Sequence, residues 1–225
     1  MRTPPTDARP TATREPASRR EVRRRQAQQI GREQLLDAAE DLFSRRGFHD
    51  TSLREVARLA EFSVGSVYSF FESKDDLYRQ VFIRRGDEFL AGLRTVVEAG
   101  DDPVTTLHAM LDFEVSFFRS HASFGRLYLR SANAALQSAD RRGAETSDAR
   151  YDEAMQLQAA VFERGRRAGT FHDGEPVVLA RLFSGLVASY QSLDPGVAGR
   201  DDATHEPMPV EEFHALISRA FVVPD

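Results

Sequence analysis

The sequence predicts an all-α fold of about nine helices. Apolar residues recur at three- and four-residue spacing along most of the 225 residues, which lines up one face of each successive helix. Ser, Asp, Pro and Gly fall at the ends of these runs, where helices start and stop. No stretch keeps the period-two alternation of a strand.

Residues 1–28 read as a disordered arm. Pro4, Pro5, Pro10 and Pro16 interrupt regular structure and apolar residues are sparse. Arg19, Arg20, Arg23, Arg24 and Arg25 cluster at its end. Such an arm is either a solvated linker or a segment that follows phosphates or enters a minor groove. No apolar region follows the arginines, so no secretory signal is expected.

Ile30 to Phe48 reads as the first helix, with Leu35, Ala39, Leu42 and Phe43 as its apolar stripe. Gly47 supplies a stop. In the next helix Ser52 and Glu55 make a Ser-x-x-Glu capping box ahead of Leu53, Val56, Ala57 and Ala60. Ser63 caps a third helix. There Val67 and Phe71 lie four apart and face a core, while Gly65, Ser66 and Ser69 are small enough to approach a base edge or a phosphate. Ser73 and Asp76 form another capping box, and a fourth helix runs from Lys74 to near Val97. The pair within residues 51–70 is too short to hold a core alone. Helix pairs of this kind serve as reading heads.

Asp102-Pro103 opens a fifth helix ending near Ser120. A sixth spans about Phe124 to Leu136, and Gln137 to Thr146 reads as a loop. Ser147 to Arg167 is a seventh helix closed by Gly169, and Pro176 to Ser192 an eighth. Asp194 to Pro207 reads as a loop, and Pro209 to Val222 as the last helix.

The segments LLDAAEDLF, RRGFHDTSLREVARLA and FSVGSVYSFFESKDDLY, between about Ile30 and Val81, resemble the TetR family of bacterial transcription regulators. The combination Tyr68, Phe71, Ser73, Lys74 and Leu77 is especially specific. The resemblance implies a DNA-binding domain over 29–88 and a helical effector-binding and dimerisation domain over 89–225. It implies that Val64 to Phe70 enters the major groove and that Tyr68 and Lys74 touch phosphate. Ser52, Arg54, Ser63, Val64, Gly65, Ser66 and Ser69 complete the expected DNA contacts. The chain departs from the family pattern at Glu61, where the turn usually holds glycine, and at Val64, where a basic or polar residue often stands. A left-handed Glu61 costs roughly 1–2 kcal/mol, and Val64 can meet a thymine methyl group.

Charge is divided unevenly. Residues 1–85 hold 17 Lys or Arg against 13 Asp or Glu, net +4, and the remainder 13 against 22, net −9, within an overall charge of −5. A less acidic head suits a polyanion. Lys74 is the only lysine, and the chain contains no cysteine, which excludes disulfides and fits a cytoplasmic protein. No 18-residue apolar run predicts a membrane span.

A ligand cavity is implied by the resemblance, and the surplus of large apolar residues in the body supplies candidates for its lining. These are Phe89, Met110, Phe113, Phe117, Phe118, Phe124, Leu127, Tyr128, Met155 and Phe162, with Glu114, Gln158, Arg130 and His108 as polar anchors. Each taken singly also reads as core, as most aromatic stripes do. A dimer is implied in the same way. Val178, Leu182, Gly185, Leu186 and Ser189 form one stripe, and Phe213, Leu216, Ile217 and Ala220 another. The expected partners are a palindromic operator, a small lipophilic or aromatic effector and a second copy of the chain. The expected activity is repression relieved by that effector, with no cofactor, no bound metal and no enzymatic reaction. Two other readings stay open: a DNA-binding dimer without an effector, and a helical enzyme with a metal between His108, His121 and Glu114.

Overall fold

The computed structural model describes residues 18–137, 144–199 and 208–224. These form ten helices: α1 (Arg19–Arg46), α2 (Leu53–Leu59), α3 (Val64–Phe70), α4 (Lys74–Ala99), α5 (Pro103–Ser120), α6 (Ala122–Gln137), α7 (Ala144–Ala168), α8 (Pro176–Leu193), α9 (Pro195–Ala198) and α10 (Val210–Phe221). The all-α expectation holds. The tenth helix is the short α9, in a stretch expected to be loop, where the Asp194 carboxylate caps Gly196 N–H at 2.9 Å. An isolated antiparallel bridge joins Phe171 and Val222.

The arm is the largest departure. Residues 19–28 are helical, because α1 starts eleven residues before Ile30. Ser18 and Glu21 form a capping box that the sequence reading missed: Glu21 N–H donates to Ser18 Oγ at 3.3 Å and Ser18 N–H to Glu21 Oε2 at 3.0 Å. Arginine and glutamine favour helix almost as well as alanine, so the cap starts a helix that runs on into the apolar stripe. Residues 18–30 are exposed throughout, and burial begins at Gly31. About three turns of basic helix thus project beyond the core. Other boundaries move less. The first helix ends at Arg46, α6 begins at Ala122 and α7 begins at Ala144 rather than Ser147. Residues 1–17, 138–143 and 200–207, which include parts of the expected arm and loops, lie outside the described residues.

Two buried clusters organise the fold. Leu35, Ala39, Phe43, Val56, Val67, Phe71 and Leu77 close the head around α1–α4, and Phe117, Phe118, Phe124 and Leu127 extend this cluster into α5 and α6. The body core holds Leu93, Leu107, Met110, Phe162, Phe183, Ile217 and Phe221. Helix α4 belongs to both. Its first half buries Leu77, Tyr78, Val81 and Phe82 in the head, and its second half buries Leu90, Leu93 and Val97 in the body. Between them Arg84 and Arg85 both donate to Glu40 Oε2 of α1 at 2.8 Å. Arg84 also pairs with Asp37 at 2.7 Å and Glu33 at 3.1 Å.

The turn between α2 and α3 resolves the question raised by Glu61. Glu61 has φ 60°, the one positive φ at a non-glycine residue among those described. Phe62 N–H donates to Ala57 O at 2.8 Å and Glu61 N–H to Arg58 O at 3.3 Å, the pair of bonds that ends a helix with a left-handed residue. The glycine-type geometry is kept and glutamate bears the strain. Glu61→Gly is expected to raise stability by about 0.5–1 kcal/mol, the relieved strain outweighing the added chain entropy. For a chain of this size that is a Tm increase of about 1–4 °C in a thermal melt. An unchanged or lower Tm would contradict the strain.

Candidate nucleic-acid interface and ligand cavity

The head's local caps determine what α3 presents. Ser63 Oγ accepts from Ser66 N–H at 3.0 Å, which starts α3 one residue later. Val67 is fully buried, so the opposite face turns outward, with Gly65, Tyr68 and Ser69 exposed. Tyr68 is 58% exposed, far more than a packing role would leave a tyrosine. The Ser63 and Ser66 hydroxyls lie 2.8 Å apart, and Ser69 Oγ donates to Ser66 O at 2.6 Å.

Of the expected contact residues, Ser52, Arg54, Val64, Tyr68 and Lys74 line one groove. Ser63, Gly65, Ser66 and Ser69 lie along α3 outside it. The groove also includes His49, Thr51, Leu53, Glu72 and Ser73, which the sequence reading did not place among the DNA contacts. Thr51 could have been found from its place just before the Ser52 cap; its hydroxyl donates to Gly47 O at 2.8 Å and fixes the α1–α2 turn. Glu55 returns the cap, accepting from Ser52 N–H at 2.9 Å and from Ser52 Oγ at 2.8 Å. These bonds, with Arg46 at 2.7 Å, hold the Glu55 carboxyl below its ordinary range. Lys74 Nζ donates to His49 O at 3.3 Å and lies 4.3 Å from the centre of the Phe48 ring. That contact places an ammonium on the rim beside Tyr68.

A cavity of about 80 Å³ lies in the body, walled by α4 to α8. Phe89, Glu114, Phe118, Phe124, Tyr128, Met155 and Gln158 line it as expected. Met110 and Phe162 do not: both are fully buried in the body core. Phe117 and Leu127 belong to the head-side cluster, and Phe113 packs its ring against Phe89 at 5.4 Å. Phe82, Gly86, Leu90, Tyr151, Ala154, Ser184, Val187, Ala188, Gln191 and Arg150 are lining residues the sequence did not reveal. A Cβ at Gly86 would sit 2.6 Å from Arg150 Cδ, so glycine there leaves room for that side chain. Arg130 is exposed and lies outside the cavity.

Glu114 is 4% exposed and accepts from Gln158 Nε2 at 2.6 Å. Gln158 Oε1 in turn accepts from Ser184 Oγ at 2.8 Å. Burial pushes the Glu114 carboxyl up to about 8, against the opposing effect of the Gln158 bond. The Tyr128 phenol is also raised, by burial first and then by Tyr151 and Glu114 nearby.

The histidines do not assemble with Glu114. His108 Nδ1 is 2.6 Å from His214 Nδ1 of α10, and His121 Nε2 is 3.2 Å from Glu88. Among the described residues no group of three or more His, Cys, Asp or Glu is placed to hold a metal.

On α8, Val178 is 48% and Leu182 56% exposed. Gly185 and Ser189 are exposed on the same stripe, with open space beside Gly185. Leu186 is half-buried against the body core. On α10 the expected stripe is only partly exposed. Phe213 and Ile217 are buried within the subunit, Phe213 stacked on Tyr190 at 4.2 Å, so neither is free to meet a second chain. Leu216 is half-buried and Ala220 exposed.

The Glu114 environment sets a pH dependence. A buried acid raised from 4.5 to about 8 keeps its proton in the fold while the unfolded chain loses it. Its contribution to stability is therefore intact below about pH 4.5 and falls by about 1.4 kcal/mol per pH unit as pH rises toward 8. Glu114→Gln keeps the shape without the titration. The variant should gain stability over the wild type progressively from pH 5 to 8 in denaturant melts. A constant difference would contradict the assignment.

Residues 35–81 match the family model described as bacterial regulatory proteins, tetR family. The chain is 29% identical over 152 residues to the HTH-type transcriptional repressor KstR2 of Rhodococcus jostii (strain RHA1), covering 68% of this chain and 73% of that protein. The ketosteroid transcriptional regulator KstR2 of Mycobacterium tuberculosis superposes with a TM-score of 0.67 at 19% identity, over 86% of this chain and 95% of that one. AibR, solved in complex with isovaleryl coenzyme A and operator DNA, superposes with a TM-score of 0.66 at 18% identity, over 85% and 98%. The capped helix pair, the exposed Tyr68 beside Lys74 and these matches lead to one conclusion: residues 35–81 carry a DNA-binding domain of the tetR type, and the chain is similar to transcription regulators of that family over most of its length.

Proposed function

We propose that the protein is a cytoplasmic homodimeric repressor, not an enzyme, and that a small lipophilic or aromatic effector releases it from a palindromic operator. The observation that carries the reading is the course of α4. One helix anchors the head core, supplies Phe82, Gly86, Phe89 and Leu90 to the cavity wall, and then enters the body core. The cavity, at about 80 Å³, is smaller than the 300–1,000 Å³ of ordinary ligand sites. An effector must push its walls apart, and α4 is one wall. Moving α4 moves the head. Turning a dimer from 1:99 to 99:1 against DNA needs about 5.5 kcal/mol of differential binding.

Each subunit offers the exposed stripe Val178, Leu182, Gly185 and Ser189 of α8 to a partner. Gly185 and Ser189 let a second helix approach closely. Two heads joined this way meet half-sites about one helical turn apart. On the DNA, Tyr68 and Lys74 take phosphates, Arg54 and Ser52 flank them, and Ser63, Val64, Gly65, Ser66 and Ser69 face the base edges. The projecting start of α1 adds Arg19, Arg20, Arg23 and Arg24 along one side of a helix, positioned to follow phosphates.

Fluorescence anisotropy with the DNA flanking the gene, or with sites selected from random sequence, tests this reading. Site-selective binding should weaken steeply with salt, by roughly a thousandfold from 50 to 200 mM for six phosphate contacts. Tyr68→Ala should weaken binding at least about tenfold without lowering Tm, as expected for a lost DNA contact. Leu182→Glu should sediment as a monomer and lose the site. Sequence-indifferent binding, or a Leu182→Glu dimer, would contradict the proposal.

A further inference from the structure

We infer that the cavity takes an organic cation, a tertiary or quaternary ammonium, with the Glu114 carboxylate as its counter-ion. This deepens the effector reading above and rests on it. The rings of Phe82, Phe89, Phe118, Phe124, Tyr128 and Tyr151 line one small space with Glu114. Aromatic faces and a single desolvated carboxylate are the pairing that recognises ammonium groups.

The chain shows how it treats a carboxylate that serves structure alone. Glu40, buried to a similar degree, is met by two guanidinium groups at 2.8 Å. Glu114 has no such cation among the described residues; an amide holds it instead. Gln158 donates to Glu114 Oε1 and is itself oriented by Ser184. A donor aimed at the carboxyl favours its charged form and leaves Oε2 for a ligand. The facing titratable groups are few. Tyr128 lies on α6, and Tyr151 and Arg150 on α7. Arg150 is held by Asp87 of α4 at 2.6 Å. The lining residues of α8 and the other lining residues of α4 carry no charge.

Burial favours the protonated form of Glu114 below about pH 8, so binding a cation there exchanges one charge for another. The O–H bond of Glu114 breaks, its proton passes to solvent, and the ammonium takes its place beside the carboxylate. Affinity should therefore rise by about tenfold per pH unit up to near pH 8.

The test uses the full chain with phenyltrimethylammonium and its neutral isostere tert-butylbenzene, by titration calorimetry from pH 6 to 8 in buffers of different ionisation enthalpy. The cation should bind at least about tenfold tighter than the isostere, release close to one proton at pH 6, and lose that preference in Glu114→Gln. If that variant does not fold, the proton release by the wild-type chain decides. Equal affinity for the isostere, cation preference retained in Glu114→Gln, no proton release, or no binding of either compound would overturn the inference. Operator release is read in the same samples. A cation that binds through Glu114 yet leaves the operator complex intact supports the cavity assignment and refutes the effector reading. If tert-butylbenzene binds and releases the operator while the cation does not bind, the effector reading stands and the cation assignment falls.

Discussion

The double ion pair from Arg84 and Arg85 to Glu40 is the contact on which the rest of the molecule depends. It lies where α4 leaves the head core and enters the body, and it ties α4 to α1. Glu40 is 5% exposed. Removing one partner from so enclosed a pair leaves uncompensated charge, which costs far more than the pair contributes. The head therefore cannot slide along α4; it travels with it. A helix pair with little core of its own becomes a rigid attachment to the body.

That constraint gives the cavity its leverage. Phe82 packs in the head and lines the cavity, Phe89 borders both buried clusters, and Arg84 and Arg85 lie between them in sequence. A side-chain shift at the wall is passed on because packed interiors deform little and prefer discrete arrangements. Buried Glu114 and strained Glu61 share one feature. Each costs stability where a neutral residue or a glycine would not, and each lies next to a candidate site, one in the cavity wall and the other in the turn that leads into α3. Costs of this kind cluster at functional positions.

The head was legible in the sequence because its signals are local. Ser52 with Glu55, Ser63 with Ser66, and Ser73 with Asp76 each act across three residues, and all three caps form as spaced. The Ser18–Glu21 box obeys the same rule, but the prolines and arginines around it masked it, and the arm was read as disordered through residue 28. The body was harder to read for a physical reason. Phe118 at the cavity and Phe162 in the core are the same residue type on similar apolar stripes, and only the packing of distant helices separates them. The same holds for α8 and α10. Both carry apolar stripes, yet Leu182 faces solvent and Ile217 the core. Lining residues such as Gly86, Ala154 and Ala188 were invisible because their contribution is the space they leave.

The central claim is that two heads, each rigid on its own α4, are held at the spacing of the DNA helix. The chain has no cysteine, so Leu59→Cys, exposed at the end of α2 and outside the proposed DNA contacts, gives one spin label per subunit. Pulsed dipolar spectroscopy on the operator complex should show a single narrow distance, set by heads held about one helical turn, roughly 35 Å, apart. Absence of a dipolar signal, or a distribution as broad with operator as without it, would contradict the account.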